Sequence, residues 1–250
     1  MTFEGRRAIV TGAGSGIGQA VALQLLRDGA RVTGVDINDR GLDPVREAGG
    51  EALVVDLADV AQRQTVIDSA RTDPPHFLVN AAAILQVIPI GDVSPDVFRR
   101  HFTVNVEAVW FLCRDVGAVM AEGGAIVNFS SPSARWAYTL ETAVYSATKT
   151  AIQGVTRSFA IHLAPRGIRV NAISPGITDT PMQEKVLREV SELRGLSYDD
   201  LSTNRVKLVP LARSAPAAEM AGVVVFLLSD PAAYITGQTI YVDGGYIMSA

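Results

Sequence analysis

A phenol and an ammonium stand four residues apart in Tyr145-Ser146-Ala147-Thr148-Lys149. On a helix, positions i and i+4 share one face about one turn apart, so the cation bears on the phenol or on a ligand beside it. A free tyrosine ionises near pH 10, and each unit of depression corresponds to about 1.4 kcal/mol of preferential stabilisation of the phenolate. A fixed neighbouring cation is therefore a direct way to make tyrosine a usable base. The same spacing also arises on ordinary exposed helices, so the pair takes its meaning from the residues that accompany it.

The elements that would position this pair alternate along the chain. A β-branched run, Ala8-Ile9-Val10, breaks into Thr11-Gly12-Ala13-Gly14-Ser15-Gly16-Ile17-Gly18 before a helical pattern begins at Ala20 and Val21. Strand, glycine turn and helix form the context of a phosphate-binding loop, in which the helix N-terminus offers unpaired N–H groups to a pyrophosphate. The fingerprint G-x-G-x-x-G does not match, because Ile17 stands at its third glycine; the spacing present is Gly12, Gly16 and Gly18. A second strand, Ala30-Arg31-Val32-Thr33-Gly34-Val35-Asp36, ends in an acid eighteen residues beyond Gly18. A carboxylate there accepts hydrogen bonds from both adenosine ribose hydroxyls and repels a 2′-phosphate, which favours NAD over NADP; Arg40 is the nearby cation that opposes this.

A short helix is expected over about 44–48, a third strand over 51–55 delivering Asp56 and Leu57, and a helix over about 60–71. Phe77-Leu78-Val79 then ends in Asn80-Ala81-Ala82-Ala83, small residues that let a ligand lie against the backbone. One long helix is expected from Pro95 to about Glu122, a strand over 125–129 leading to Ser130-Ser131, the helix of Tyr145 to about Ala164, and a strand over 168–174 that breaks at Pro175-Gly176. This alternation predicts an α/β chain, one domain over 1–250, with a doubly wound parallel sheet of about seven strands and helices on both faces. Ligands of such sheets bind beyond the carboxyl ends of the strands, where every motif quoted above falls.

Composition narrows the partners. With 250 residues, 48% hydrophobic and 19% charged, one large core is affordable, and a net charge of −4 leaves no basic field for nucleic acid or anionic lipid. Cys113 is the sole cysteine, so neither an internal disulfide nor a cysteine-based metal site forms, and His76, His101 and His162 lack ligand spacing. No metal is expected. Neither a signal stretch nor a run of about eighteen apolar residues occurs, and a cytoplasmic protein is the expectation.

The ordered set Thr11-Gly12-x-x-x-Gly16-x-Gly18, Asn80-Ala-Ala-Ala, Asn105, Ser131, Tyr145-x-x-x-Lys149 and Pro175-Gly176 resembles the short-chain dehydrogenase/reductase family, from Gly5 to the closing Val242-Asp243-Gly244-Gly245. The resemblance implies a Rossmann fold and a nicotinamide-dependent oxidoreductase. It implies that Tyr145 moves the proton, that Lys149 lowers its pKa and holds the nicotinamide ribose, and that Ser131 bonds the substrate oxygen. Asn105 would order a water leading from Lys149 to solvent. Gly12, Ser15, Gly16, Ile17 and Gly18 would hold the pyrophosphate, with Asp56 and Leu57 near the adenine and Asn80, Ala81 and Ala82 near the adenosine ribose. Pro175, Gly176, Thr178 and Thr180 would face the nicotinamide.

Three departures stand out. Ala83 replaces the family's glycine, Thr178 replaces its Ile or Val, and fourteen residues rather than thirteen separate Ser131 from Tyr145. Ser130 and Ser133 therefore remain alternatives for the serine role. Candidate substrate contacts are Ser131, Ser133, Trp136, Tyr138 and Met182, the last in a lid over about 180–208, with Trp136 and Tyr138 equally readable as subunit contacts. The lid charges Glu184, Lys185, Arg188, Glu189 and Glu192 read as a solvated helix face with i,i+4 pairs.

The lid resembles that of polyol and secondary-alcohol dehydrogenases. A local likeness at Thr178-Asp179-Thr180-Pro181-Met182-Gln183 is to 2,3-dihydro-2,3-dihydroxybenzoate dehydrogenases, for which Arg135 would be the cation facing a carboxylated ring. Reduction of 3-oxoacyl thioesters and a non-enzymatic nucleotide sensor are further readings. Apolar residues on more than one face of the long helices, among them Val109, Phe111, Ile152 and Ile161, point to a homotetramer, or a homodimer, with Tyr246-Ile247-Met248 available for a second contact.

Overall fold

Strand alternation sorts the apolar residues onto two faces, and the structure, a computed structural model, follows that sorting. It describes residues 2–136 and 139–248. In chain order the elements are β1 (Arg7–Thr11), α1 (Gly16–Arg27), β2 (Arg31–Asp36), α2 (Asp43–Glu47), β3 (Glu51–Val54), α3 (Val60–Thr72) and β4 (Phe77–Asn80). There follow α4 (Pro95–Phe102), α5 (Ala108–Val119), β5 (Ala125–Phe129), α6 (Ala143–Leu163) and β6 (Arg169–Pro175). The chain closes with β7 (Thr178–Asp179), α7 (Pro181–Arg194), α8 (Tyr198–Lys207), β8 (Ala215–Pro216), α9 (Ala217–Leu228) and β9 (Thr239–Val242).

Seven strands form one parallel sheet in the order β3-β2-β1-β4-β5-β6-β9, and β7 and β8 form a separate parallel pair. Ala8, Val10, Phe77, Val79, Ala125 and Val127 face α1 and α9, where they meet Val21, Leu25, Val224 and Leu228. The alternate positions Ile9, Leu78 and Ile126 face α3, α5 and α6, where they meet Val66, Leu112, Ile152 and Phe159. Side chains of a strand alternate between faces, so a sheet covered on both sides must be apolar at consecutive positions. The strand order reverses between β1 and β4, and a crevice opens there at their carboxyl ends.

One expectation is corrected. The single helix from Pro95 to about Glu122 is instead α4, a π-helical turn at Thr103–Glu107, and α5. A π turn inserts one residue into the helical ladder, which rotates the side chains that follow relative to those before. Asn105 sits in this turn, 1% exposed and pointed into the protein. No helix among the described residues is long and apolar enough to cross a membrane.

Candidate active site

The crevice begins at the turn between β1 and α1. Gly12 has φ +71, and a Cβ there would lie 2.7 Å from Ala82 N, so only glycine lets this turn close against the end of β4. Ser15 precedes α1 in extended backbone without a side-chain capping bond, and the first turn holds no acid. The unpaired N–H groups of that turn therefore lack an intramolecular acceptor from the cap, which is the donor set an anionic pyrophosphate requires. Ser15, Gly16, Ile17 and Gly18 line a cavity of about 240 Å³, together with Ala81, Ala83, Pro175, Gly176, Thr178 and Thr180.

Asp36, at the end of β2, accepts from Gly14 N–H and from Asn38 N–H, both at 2.9 Å. A Cβ on Gly14 would lie 2.7 Å from the Asp36 carboxyl carbon, so the loop glycine without a role in the sequence reading is the one that admits this acid. Gln19 fixes the same loop, donating to Gly14 O at 3.3 Å and Gly41 O at 3.0 Å.

Four expected contacts have other local partners. Asp56 pairs with Arg100 at 3.0 and 3.2 Å and accepts from Ala58 N–H at 2.9 Å; burial opposes ionisation, but these two partners hold its carboxyl below the usual range. Leu57 is a core side chain. Asn80 turns inward, its Nδ2 donating to Asn128 Oδ1 at 2.8 Å, and Ala82 N–H donates to Thr11 Oγ1 at 3.2 Å. None of these four, nor Gly12 or Asp36, is part of the cavity wall.

On the opposite wall, β5 delivers Phe129-Ser130-Ser131 and α6 delivers Tyr145 and Lys149. Ser131 shares this wall with Tyr145, and its hydroxyl favours ionisation of the phenol. It also accepts from Ser133 N–H at 3.3 Å and Ser133 Oγ at 3.0 Å. Ser130 is committed elsewhere: its hydroxyl donates to Lys149 O at 3.0 Å and accepts from Gln153 Nε2 at 3.3 Å. The extra residue between Ser131 and Tyr145 therefore leaves both on the same cavity wall.

Lys149 Nζ donates to Phe129 O at 2.8 Å and lies 5.4 Å from the centre of the Tyr145 ring. Burial pulls the ammonium down from 10.5 to about 8. Burial also pushes the phenol up to about 12, against the opposing influence of the Ser131 hydroxyl. A neutral phenol in this state can give its proton to a developing alkoxide, and stabilising the phenolate requires added positive charge nearby.

Asn105 braces the site. Its Oδ1 accepts from Ile84 N–H at 2.8 Å, while Nδ2 donates to Ile84 O at 2.9 Å and to Thr148 Oγ1 at 3.1 Å. Through these bonds the Asn105 side chain ties the segment after β4 to α6 beside Lys149.

The remaining wall comes from α7, α8 and two aromatic residues. Met182 and Trp136 line it as expected; Tyr138 lies outside the described residues. Trp136 packs on Tyr246, ring centres 5.3 Å apart, and Tyr246 is buried within its own chain. The outer face of α7 carries the anticipated i,i+4 pairs, Glu184–Arg188 at 2.6 Å and Lys185–Glu189 at 3.7 Å. Gln183, Val186 and Leu187 of the lid, read from the sequence as residues around the substrate with Met182, line the wall, while Arg194 and Arg205 escaped sequence reasoning. Arg194 clamps Glu141 with bonds of 2.7 and 2.9 Å and holds that carboxyl below its usual range.

A family model described as enoyl-(acyl carrier protein) reductase matches residues 12–247. The chain is 37% identical to D-erythrulose reductase of Gallus gallus over 100% of this chain and 98% of that protein. It is 35% identical to L-xylulose reductase of Bos taurus, over 99% and 98% of the two chains. A crystal structure from Beutenbergia cavernae, provisionally named an NAD(P)-dependent gluconate 5-dehydrogenase and holding NADP at low occupancy, superposes with a TM-score of 0.88. It shares 36% identity and covers 99% of this chain and 98% of its own.

Proposed function

The chain belongs to the short-chain dehydrogenase/reductase family, and from that premise we propose an NAD-dependent dehydrogenase that interconverts a small polyol and its ketone. It is an oxidoreductase of secondary alcohols and ketones that works with a nicotinamide cofactor. The observation that carries the proposal is the placing of Ser131, Tyr145 and Lys149 on the wall of one cavity with the uncapped N-terminus of α1.

When bound, the nicotinamide supplies the hydride chemistry. Ser131 holds the substrate oxygen and Tyr145 gives it a proton in reduction or takes one in oxidation. The Lys149 ammonium, above the phenol ring, favours the phenolate as charge develops there. The N–H groups of Ser15 to Gly18 suit the pyrophosphate, and Pro175 to Thr180 close the opposite side.

Asp36 supports NAD over NADP, since its carboxylate is fixed at the end of β2 by Gly14 and Asn38, where a 2′-phosphate would meet like charge. The polyol reading rests on the relatives named for erythrulose and xylulose and on a wall that mixes apolar side chains with a few hydrogen-bonding groups. The dihydrodiol reading gains little, because Arg135 is exposed and outside the cavity wall. The segment 180–208 serves as the substrate lid.

A homotetramer fits the exposed Phe98 and Trp110 on α4 and α5 and Ile161 on α6, 45, 43 and 78% accessible in the single chain. The free thiol of Cys113 fits a cytoplasmic setting. The test is the rate of NADH or NADPH formation with D-threitol, xylitol, sorbitol, galactitol, cyclic diols and butan-2-ol. Turnover of at least one polyol, with a lower KM for NAD than NADP, is expected; turnover of none with either cofactor overturns the reading.

A further inference from the structure

The inner face of α7 carries Gln183, Val186, Leu187, Val190 and Arg194, residues three or four apart that all line the cavity. Such a stripe is ordinarily apolar throughout, and a polar residue inside it needs a partner. Arg194, at one end, has the Glu141 carboxylate. Gln183, at the other end, has Arg205 on α8, also in the cavity wall. A guanidinium carries donors only, so we assign the Gln183 amide with its oxygen toward it, where that oxygen accepts from the two terminal nitrogens of Arg205 at 2.6 and 2.8 Å.

This clamp decides what the substrate meets. Two donors on one oxygen fix the rotation of the amide, because the reverse orientation would set NH₂ against guanidinium N–H groups. The main chain of Gln183 is fixed as well, its N–H donating at 3.3 Å to Thr180 Oγ1, the N-cap of α7. With its oxygen edge engaged by Arg205, the amide turns its NH₂ edge, a neutral donor, away from the guanidinium. Gln183 lines the same cavity as Ser131 and Tyr145.

We propose that Gln183 is a specificity-determining residue whose Arg205-oriented NH₂ binds a substrate hydroxyl on a carbon other than the one oxidised. The site then selects polyhydroxylated substrates over simple secondary alcohols, since a donor covered by a bound alcohol that lacks that hydroxyl loses its water without gaining a partner. This rests on the polyol reading above and deepens it.

The experiment compares kcat/KM for the best substrate among D-threitol, xylitol, sorbitol and galactitol with kcat/KM for butan-2-ol, in wild type and in Gln183→Met and Gln183→Leu. The wild type is expected to favour the polyol at least tenfold. Both variants should lose about tenfold on the polyol, equivalent to about 1.4 kcal/mol, with butan-2-ol unchanged or improved. A wild type that does not discriminate, or variants that slow both substrates by the same factor, would overturn the role of Gln183 and leave the polyol reading standing. If the wild type oxidises butan-2-ol but no polyol, the functional reading itself fails.

Discussion

Lys149 Nζ reaches the main-chain carbonyl of Phe129 at 2.8 Å, so the amine of the helix is bonded to the last residue of β5 while its charge lies beside the Tyr145 ring. Burial has brought its pKa from 10.5 to about 8. Below pH 8 the folded and unfolded chains both keep the proton, and the buried charge costs roughly 3 kcal/mol. Between pH 8 and 10.5 only the unfolded chain keeps it, so this group's contribution to stability rises with pH. Urea unfolding of wild type and Lys149→Met at pH 7 and 9.5 should show the wild type gaining roughly 2 kcal/mol relative to the variant. Parallel pH curves would mean that the amine is not held down.

The three neighbouring serines should separate by what each mutation damages. Ser131→Ala removes the hydroxyl that shares the wall with the phenol and is expected to lower kcat by roughly 10²–10³, with melting little changed. Ser130→Ala removes a bond to the Lys149 main chain and should cost about 1 kcal/mol of stability. Its effect on kcat should be smaller than that of Ser131→Ala. Equal losses of kcat at the two positions would undo the assignment.

Asn105→Leu leaves the Ile84 N–H and C=O and the Thr148 hydroxyl without their partner. A loss of about 3 kcal/mol is expected in urea unfolding, because buried polar groups left unpaired carry their full desolvation penalty. A variant as stable as wild type would show that Asn105 is not a brace.

Cofactor choice turns on Asp36. Replacing it with Ala removes the like charge and should lower KM for NADP while raising KM for NAD, narrowing the ratio about tenfold or more. An unchanged ratio would place the discrimination elsewhere.

How much of this could be read from the sequence depends on how local each feature is. Gly12, Gly16 and Gly18, the acid ending β2, and the Tyr145/Lys149 pair are set by short-range spacing, and the sheet follows from the alternation of apolar runs. The π turn at Asn105 has no such signature, since it is a shift of backbone hydrogen bonds within an otherwise helical pattern. Asn80 looked like a strand-end contact, but its partner Asn128 lies on a strand that only the fold places beside it. Gln183–Arg205 and Glu141–Arg194 are likewise pairings between separate elements, and spacing along one helix reveals only the solvated pairs of α7. Gly14 could have been found: three small residues between Gly12 and Gly16 leave little else to admit a side chain from the end of β2.

The most direct measurement concerns the phenol itself. Tyr145→Phe removes one oxygen and should reduce kcat on the best polyol by at least roughly 10³, while the dissociation constant for NADH, read by fluorescence, stays within about twofold of wild type. Turnover that survives the substitution would contradict the assignment of Tyr145 as the residue that moves the proton.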